Sequence, residues 1–270
     1  LKIIVIVRQT PDTEAKIKVA PSGNYIDTEG IKWIVNPYDE FAIEEAIRIK
    51  EKLGGEVVLI TMGPARCIEA LRTGLAMGAD RAIHIKDEGF AFADQYAMAK
   101  VIASEIKKEG DFSLILTGKK MIDEESGQIG IHIAEELGIP HAGLVTKVEI
   151  SADQKSARVQ KEIEGGQMVV DLPLPALLTC ERGLNEPRYA SLPGIMKAKK
   201  KPVKEVLLSD IDTGALGLSP EALGQAGSRY KITKIEVPEI KRRLHVIKGK
   251  EVPDAVRELV TALREEAKVI

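Results

Sequence analysis

Leu114-Ile115-Leu116-Thr117-Gly118-Lys119-Lys120-Met121-Ile122-Asp123-Glu124-Glu125-Ser126-Gly127-Gln128-Ile129-Gly130 opens on an apolar run, crosses a charged loop and ends on small residues that lead into a helical pattern. An uninterrupted apolar run of this kind is what a strand shows when helices cover both faces of a parallel sheet. Gly118 frees the chain to turn sharply after it. The helical pattern is expected from near Ser126 to Gly138, just before Pro140.

The same alternation extends outward. Apolar runs at 3–7, 57–61 and 82–85 read as further buried strands. Between them, 39–52 sets Ile43, Ala46 and Ile47 opposite Glu44, Glu45, Arg48 and Lys52, an amphipathic helix. A second helix is expected over 65–77, burying Ile68, Leu71 and Leu75 and stopping at Gly78. A third is expected over 92–108, with Met98, Val101, Ile102 and Ile106 inward. Strand–helix alternation predicts an α/β fold with a doubly wound, mostly parallel sheet. After Pro140, runs at 144–150, 158–163, 167–171 and 176–180 read as strands joined by turns, an antiparallel portion added to that sheet. A Pro-punctuated basic stretch, 183–204, follows, and a helix at 254–268 closes a C-terminal extension. The expected division is an α/β domain over 1–204 and an extension over 205–270.

With 270 residues the chain can bury a sizeable core. The net charge of −2 gives no global reason to expect nucleic acid. The apolar runs are too short to span a bilayer, and the start reads as a strand and not a signal peptide, so a cytoplasmic protein without membrane insertion is expected. Cys67 and Cys180 lack C-x-x-C pairing and read as buried thiols. His84, His132, His141 and His245 show no metal-ligand spacing, so no metal is expected. Aromatics are scarce, so a cofactor is expected to rest on backbone groups and small side chains.

Ligands of open α/β sheets bind beyond the carboxyl ends of the strands. Four loops lie there: Arg8-Gln9-Thr10-Pro11-Asp12, Asn36-Pro37-Tyr38-Asp39, Met62-Gly63-Pro64 and residues 118–130. Ser126-Gly127-Gln128 at a helix start is a candidate phosphate site, because exposed N–H groups there attract anions. It can equally be a plain cap and turn. Asp39 can likewise be the N-cap of its helix. Asp123, Glu124 and Glu125 would repel phosphate, so some of them must point away. About 30 residues separate the first strand from the 39–52 helix, with 17–19 and 25–27 as a possible hairpin; long loops are usually functional. The Lys197–Lys204 basic run can be a solvated face or a protein-docking surface. G-x-S-x-G, the P-loop and G-x-G-x-x-G are all missing, and no catalytic constellation stands out.

Several segments together resemble the beta subunit of electron transfer flavoproteins. They are Pro11-Asp12-Thr13, residues 36–46, Met62-Gly63-Pro64, Ala76-Met77-Gly78-Ala79-Asp80-Arg81, the 118–130 loop and, most specifically, residues 185–199. The resemblance covers nearly the whole chain in the same order. It implies an adenine-nucleotide-binding α/β fold paired with an alpha subunit that holds a FAD of its own. In one branch of the family the beta subunit holds AMP; in the electron-bifurcating branch it holds a second FAD that accepts electrons from NADH.

Residue by residue, the implied nucleotide contacts are Ile6, Asn36, Pro37, Tyr38, Asp39, Met62, Gly118, Lys119, Met121, Asp123, Ser126, Gly127, Gln128, Ile129 and Gly130. Pro11-Asp12-Thr13, Asp39, the Ser126-Gly127-Gln128-Ile129-Gly130 form and Ala93-Asp94 look like the FAD-holding branch, which adds Asp94 and Gln95 to the implied contacts; Gln95 and Met98 stand where threonines are expected, and Gln95 can still hydrogen-bond. These details favour FAD over AMP. The resemblance implies a partner recognition loop over 183–199, whose partner-binding residues are Arg188, Tyr189, Leu192, Pro193 and Ile195, with Leu192 as the anchor that docks on a dehydrogenase or quinone oxidoreductase. The C-terminal helix is expected to pack on the alpha subunit. The function implied is electron carriage, with NADH-oxidising activity if the complex bifurcates. A nucleotide sensor or an ATP-pyrophosphatase-like enzyme is the alternative; the second needs a Ser-Gly-Gly-x-Asp-Ser loop that residues 8–12 lack.

Overall fold

The computed structural model describes residues 1–224, 226–238, 244–249 and 251–270, without the side chains of residues 91, 92 and 220. Gln225, inside the polar segment before the last helix, therefore lies outside the described residues. The strands are β1 (Lys2–Ile6), β2 (Gln9–Pro11), β3 (Trp33–Val35), β4 (Glu56–Gly63), β5 (Arg81–Lys86), β6 (Leu114–Gly118), β7 (His141–Ile150), β8 (Ser156–Ile163), β9 (Gly166–Pro173), β10 (Ala176–Cys180) and β11 (Val203–Leu207). The helices are α1 (Pro37–Leu53), α2 (Ile68–Met77), α3 (Gln95–Lys108), α4 (Ile129–Leu137), α5 (Leu192–Ala198) and α6 (Val252–Thr261).

The main sheet runs β11-β5-β4-β1-β6-β10-β7-β8-β9. Pairing is parallel from β11 to β7 and antiparallel through β8 and β9. The pleat sorts the core. Ile3, Val5 and Val7 face α1 and α2, packing with Ile43, Ile47, Leu71 and Leu75. Ile4 and Ile6 face the other way, toward Val101 and Ile102 of α3 and Ile133 of α4. Helices thus cover both faces, as the apolar runs required.

One expected strand takes a different place. Residues 176–180 do not join the antiparallel portion; β10 pairs in parallel with both β6 and β7. All five of its residues are buried, the same two-faced apolarity as the central strands. β11 begins at Val203, so the expected boundary after residue 204 falls inside a strand paired with β5. Ile211, Leu218 and Leu223 of the following segment are buried in the α3/α4 core.

The small hairpin expected within the long loop is present: Val19 bridges Ile26 antiparallel, with the Ala20 N–H donating to the Tyr25 carbonyl (2.8 Å) and the Asp27 N–H to the Lys18 carbonyl (2.9 Å). What organises the loop is the antiparallel pair β2–β3, in which Gln9 faces Val35 and Pro11 faces Trp33. The second and third helices start later than the apolar pattern indicated, each behind a 3₁₀ turn (Ala65–Cys67 and Glu88–Phe92). Both cysteines are buried and free. No described helix is long and apolar enough to cross a membrane.

His84 of β5 is fully buried; its Nε2 lies 3.2 Å from the Gly63 carbonyl and its Nδ1 has no hydrogen-bond partner. Burial holds its pKa below the ordinary value, so the folded state prefers the neutral ring. Its contribution is therefore intact above about pH 6.5 and is lost as pH falls through the lowered folded pKa. Urea unfolding at pH 7.5 and 5.5 should show a smaller acid loss in His84→Gln than in the parent. Equal losses would assign the acid limb to other groups.

Candidate functional site

β1 sits between β4 and β6, so the chain leaves it in opposite directions on its two sides. The carboxyl ends at such a switch point open a crevice, and ligands of α/β sheets bind there. Three strand ends meet at Arg8, Gly63 and Gly118.

A buried knot fixes this end. Asp39, fully buried in the first turn of α1, accepts hydrogen bonds from the Arg8 backbone N–H (2.8 Å), Arg8 Nε (3.0 Å), Arg8 Nη2 (2.5 Å) and the Gly118 N–H (2.8 Å). Arg8 Nη2 also reaches the Gly118 carbonyl, at 2.9 Å. Asp39 is thus no N-cap; it ties the ends of β1 and β6 to α1. A Cβ on Gly118 would lie 2.5 Å from both Asp39 Oδ1 and Tyr38 Cβ, so only glycine fits beneath the knot. Asn36 occupies the N-cap position, with Pro37 behind it, but makes no side-chain cap. Its Nδ2 donates to the Lys120 carbonyl (2.9 Å) and its Oδ1 accepts from the Ile122 N–H (3.2 Å). Both residues therefore shape the 118–130 loop from beneath.

The loop itself enters α4 three residues later than expected, at Ile129. Gly127 has φ +62°, the left-handed region that glycine adopts freely. The start of α4 has no side-chain cap, so its first-turn N–H groups remain to be satisfied from outside the helix. A Cβ on Gly130 would come within 2.8 Å of Thr117 Cγ2, which fixes how closely α4 lies on the sheet. The three acids divide. Glu125 pairs outward with Lys120 at 2.6 Å, whereas Asp123 and Glu124 face the crevice, where burial pushes both carboxyls above their ordinary range. Gln95 Nε2 donates to Glu124 Oε2 (2.9 Å) and to Ser126 Oγ, clipping the loop to the start of α3.

The crevice is a cavity of about 280 Å³. Of the residues expected to contact nucleotide, Met62, Gln95, Met121, Asp123 and Ile129 line it. Ile6 is buried in the core, Lys119 pairs with Glu181, and Asn36, Pro37, Tyr38, Asp39, Gly118, Ser126, Gly127, Gln128 and Gly130 lie behind or beside the wall. Asp94 caps α3, accepting from the Ala97 N–H (2.8 Å), and its other oxygen accepts from the Arg229 N–H (2.7 Å). Wall residues outside that set include Gln9, Tyr25, Trp33, Arg66 and Phe90. Aromatic rings therefore do line the site, contrary to what their scarcity indicated. The unusual length of the β1–α1 connection was the one sequence signal pointing to Tyr25 and Trp33.

The electron transfer flavoprotein domain family matches residues 24–211, well over half of the chain. The chain is 41% identical to the electron transfer flavoprotein subunit beta of Bacillus subtilis, over the full length of both. It belongs to the electron transfer flavoprotein family. The mitochondrial subunit beta of Arabidopsis thaliana is 37% identical, again over the whole of both chains. The caffeyl-CoA reductase–Etf complex subunit CarD of Acetobacterium woodii is 39% identical, covering 98% of this chain and 99% of its own. These matches support the role of an electron-transfer beta subunit and not that of an ATP-pyrophosphatase-like enzyme or a nucleotide sensor.

In this beta subunit the 185–199 stretch is not a plain loop. Residues Leu192–Ala198 form α5, with Ser191 Oγ accepting from the Gly194 N–H (3.1 Å) and Pro193 in its first turn. A Cβ on Gly194 would lie 2.4 Å from the Ala76 carbonyl, so α5 rests directly on the end of α2. Asn185 donates to the Phe41 carbonyl (3.0 Å) and to Glu45 (2.9 Å). Arg188 pairs with Glu44 (2.8 Å) and Glu51 (2.6 Å) of α1, so its charge holds the segment to its own domain. Tyr189, Leu192 and Ile195 remain exposed.

Proposed function

We propose that this beta subunit holds FAD in the switch-point crevice and works as an electron carrier in a heterodimer with an alpha subunit bearing a further FAD. One observation carries the choice of FAD over AMP: the crevice has two unlike parts. The uncapped start of α4 beside Gly127 suits phosphate oxygens, which accept from first-turn N–H groups. Next to it lies a cavity walled by Met62, Phe90, Met98, Met121 and Ile129, suited to a planar apolar ring system. AMP brings one ring and one phosphate to such a pair of parts, whereas FAD brings two ring systems, and the Tyr25 and Trp33 rings that also line the cavity offer wall for the second. When bound, FAD supplies a group that takes up and passes on electrons. The chain's own residues bind and orient it. Asn36 and Asp39 hold the loop in register, Gly127 lets its backbone turn under the phosphates, and the methionines exclude water.

Partner contacts follow from what stays uncovered. None of the residues of α6 is buried, and Val252, Val256, Leu259 and Val260 make a stripe at helical spacing. This face supports packing on the alpha subunit. The exposed Leu192 of α5 supports docking on a dehydrogenase or quinone oxidoreductase. Nucleotides extracted from the purified heterodimer should amount to two FAD. One FAD with one AMP would overturn the assignment.

A further inference from the structure

We propose that Arg66 is the specificity residue of the crevice: it takes the second phosphate of an adenosine diphosphate moiety and so selects ADP-containing ligands over AMP. This rests on the nucleotide reading above and goes beyond it, since a phosphate cradle at α4 alone serves AMP and FAD equally.

Among the described residues two cations line the cavity, Arg8 and Arg66. Arg8 is committed to Asp39 and to the Gly118 carbonyl. Arg66 has no carboxylate within salt-bridge distance among the described residues. Its guanidinium instead lies 3.5 Å from the centroid of the Trp33 ring. Nη1 donates to Gln9 Oε1 (2.7 Å), and Gln9 Nε2 donates back to the Arg66 carbonyl (3.2 Å). Gln9 is itself buried. The ring of contacts fixes the guanidinium in place without neutralising it. A planar cation fixed in advance loses little entropy when a phosphate oxygen reaches it, and it presents parallel donors.

The parts come from separate elements with one common support. Gln9 and Trp33 belong to the paired strands β2 and β3, while Arg66 lies in the 3₁₀ turn after β4. The small sheet thus sets Trp33 under Arg66 on the β4 side of the cavity. The α4 start and Ile129 close the β6 side. One phosphate on the α4 N–H groups leaves the next to be met from the Arg66 side. Asp123 and Glu124 share the wall, and a fixed cation opposite them offsets the repulsion a second phosphate would meet.

The test uses the purified heterodimer freed of its crevice nucleotide by chaotropic salt and titrated calorimetrically with adenosine, AMP and ADP. The parent should bind ADP more tightly than AMP. Arg66→Gln should weaken ADP by roughly tenfold to a hundredfold, AMP less, and adenosine not at all. Arg66→Lys should recover part of the ADP affinity, and the salt dependence of ADP binding should flatten in Arg66→Gln. Equal losses for all three ligands would make Arg66 a merely structural residue and overturn the proposal. So would a parent that binds AMP and ADP alike, which leaves the nucleotide site standing. A parent that binds none of the three would sink the crevice as a nucleotide site, and this inference with it.

Discussion

Replacing Asp39 by alanine is expected to destabilise the protein by about 3–5 kcal/mol, the range for removing one partner of a buried ion pair. The Asp39 side chain is fully buried and that of Arg8 is only 11% exposed, so water cannot replace the lost carboxylate. Three Arg8 donors and the Gly118 N–H lose their acceptor at once. Leaving such donors buried and unpaired costs more than the net worth of the bonds themselves. Asp39→Asn should fall between, since one amide oxygen still accepts while the NH₂ group faces the guanidinium. Urea unfolding of the purified heterodimer measures both. The same variants should lose crevice nucleotide, because the knot holds Gly118 and hence the start of the 118–130 loop. A midpoint shift worth less than about 1 kcal/mol for Asp39→Ala would place the pair in the class of solvent-screened surface bridges.

That knot was invisible in the sequence for a physical reason. Asp39 and Gly118 lie 79 positions apart, and no local pattern links a helix-start carboxylate to a strand-end glycine. The capping reading was the local one, and tertiary structure overrode it. The central strands were legible because burial on both faces leaves an uninterrupted apolar run, whatever the neighbours. For the same reason residues 176–180 showed as a strand, but their partners did not: five buried residues in a row are the mark of an interior parallel strand, and the surrounding turns obscured it. α5 was missed because Pro193 and Gly194 are poor helix interiors. Proline is nonetheless well placed in a first turn, and Ser191 ahead of it is an N-cap signal. Arg66 carried no signal at all. Its environment is assembled from β2, β3 and a 3₁₀ turn, which only the fold brings together.

On the proposed docking role of α5, Leu192→Ala is expected to weaken binding to a partner dehydrogenase by about 2 kcal/mol or more, roughly thirtyfold in affinity. Leu192 is 75% exposed at the start of α5 and joins no core of its own chain. Ser191 caps the helix, Gly194 seats it on α2, and Arg188 ties the approach to α1, so the leucine is presented from a fixed mount. A pre-ordered anchor loses little conformational freedom on binding, and its burial therefore counts nearly in full. Nucleotide content and heterodimer assembly should be unchanged, because Leu192 lines no part of the crevice. The lysines around it divide in role. Lys201 donates to the Leu75 carbonyl at the end of α2 (2.9 Å), whereas Lys197, Lys199 and Lys200 are exposed. Neutralising the exposed three should slow association at low salt and matter little at high salt, the behaviour of steering charges. Electron transfer from the dehydrogenase at subsaturating partner separates the contributions. A wild-type rate for Leu192→Ala under those conditions would show that α5 is not the docking element.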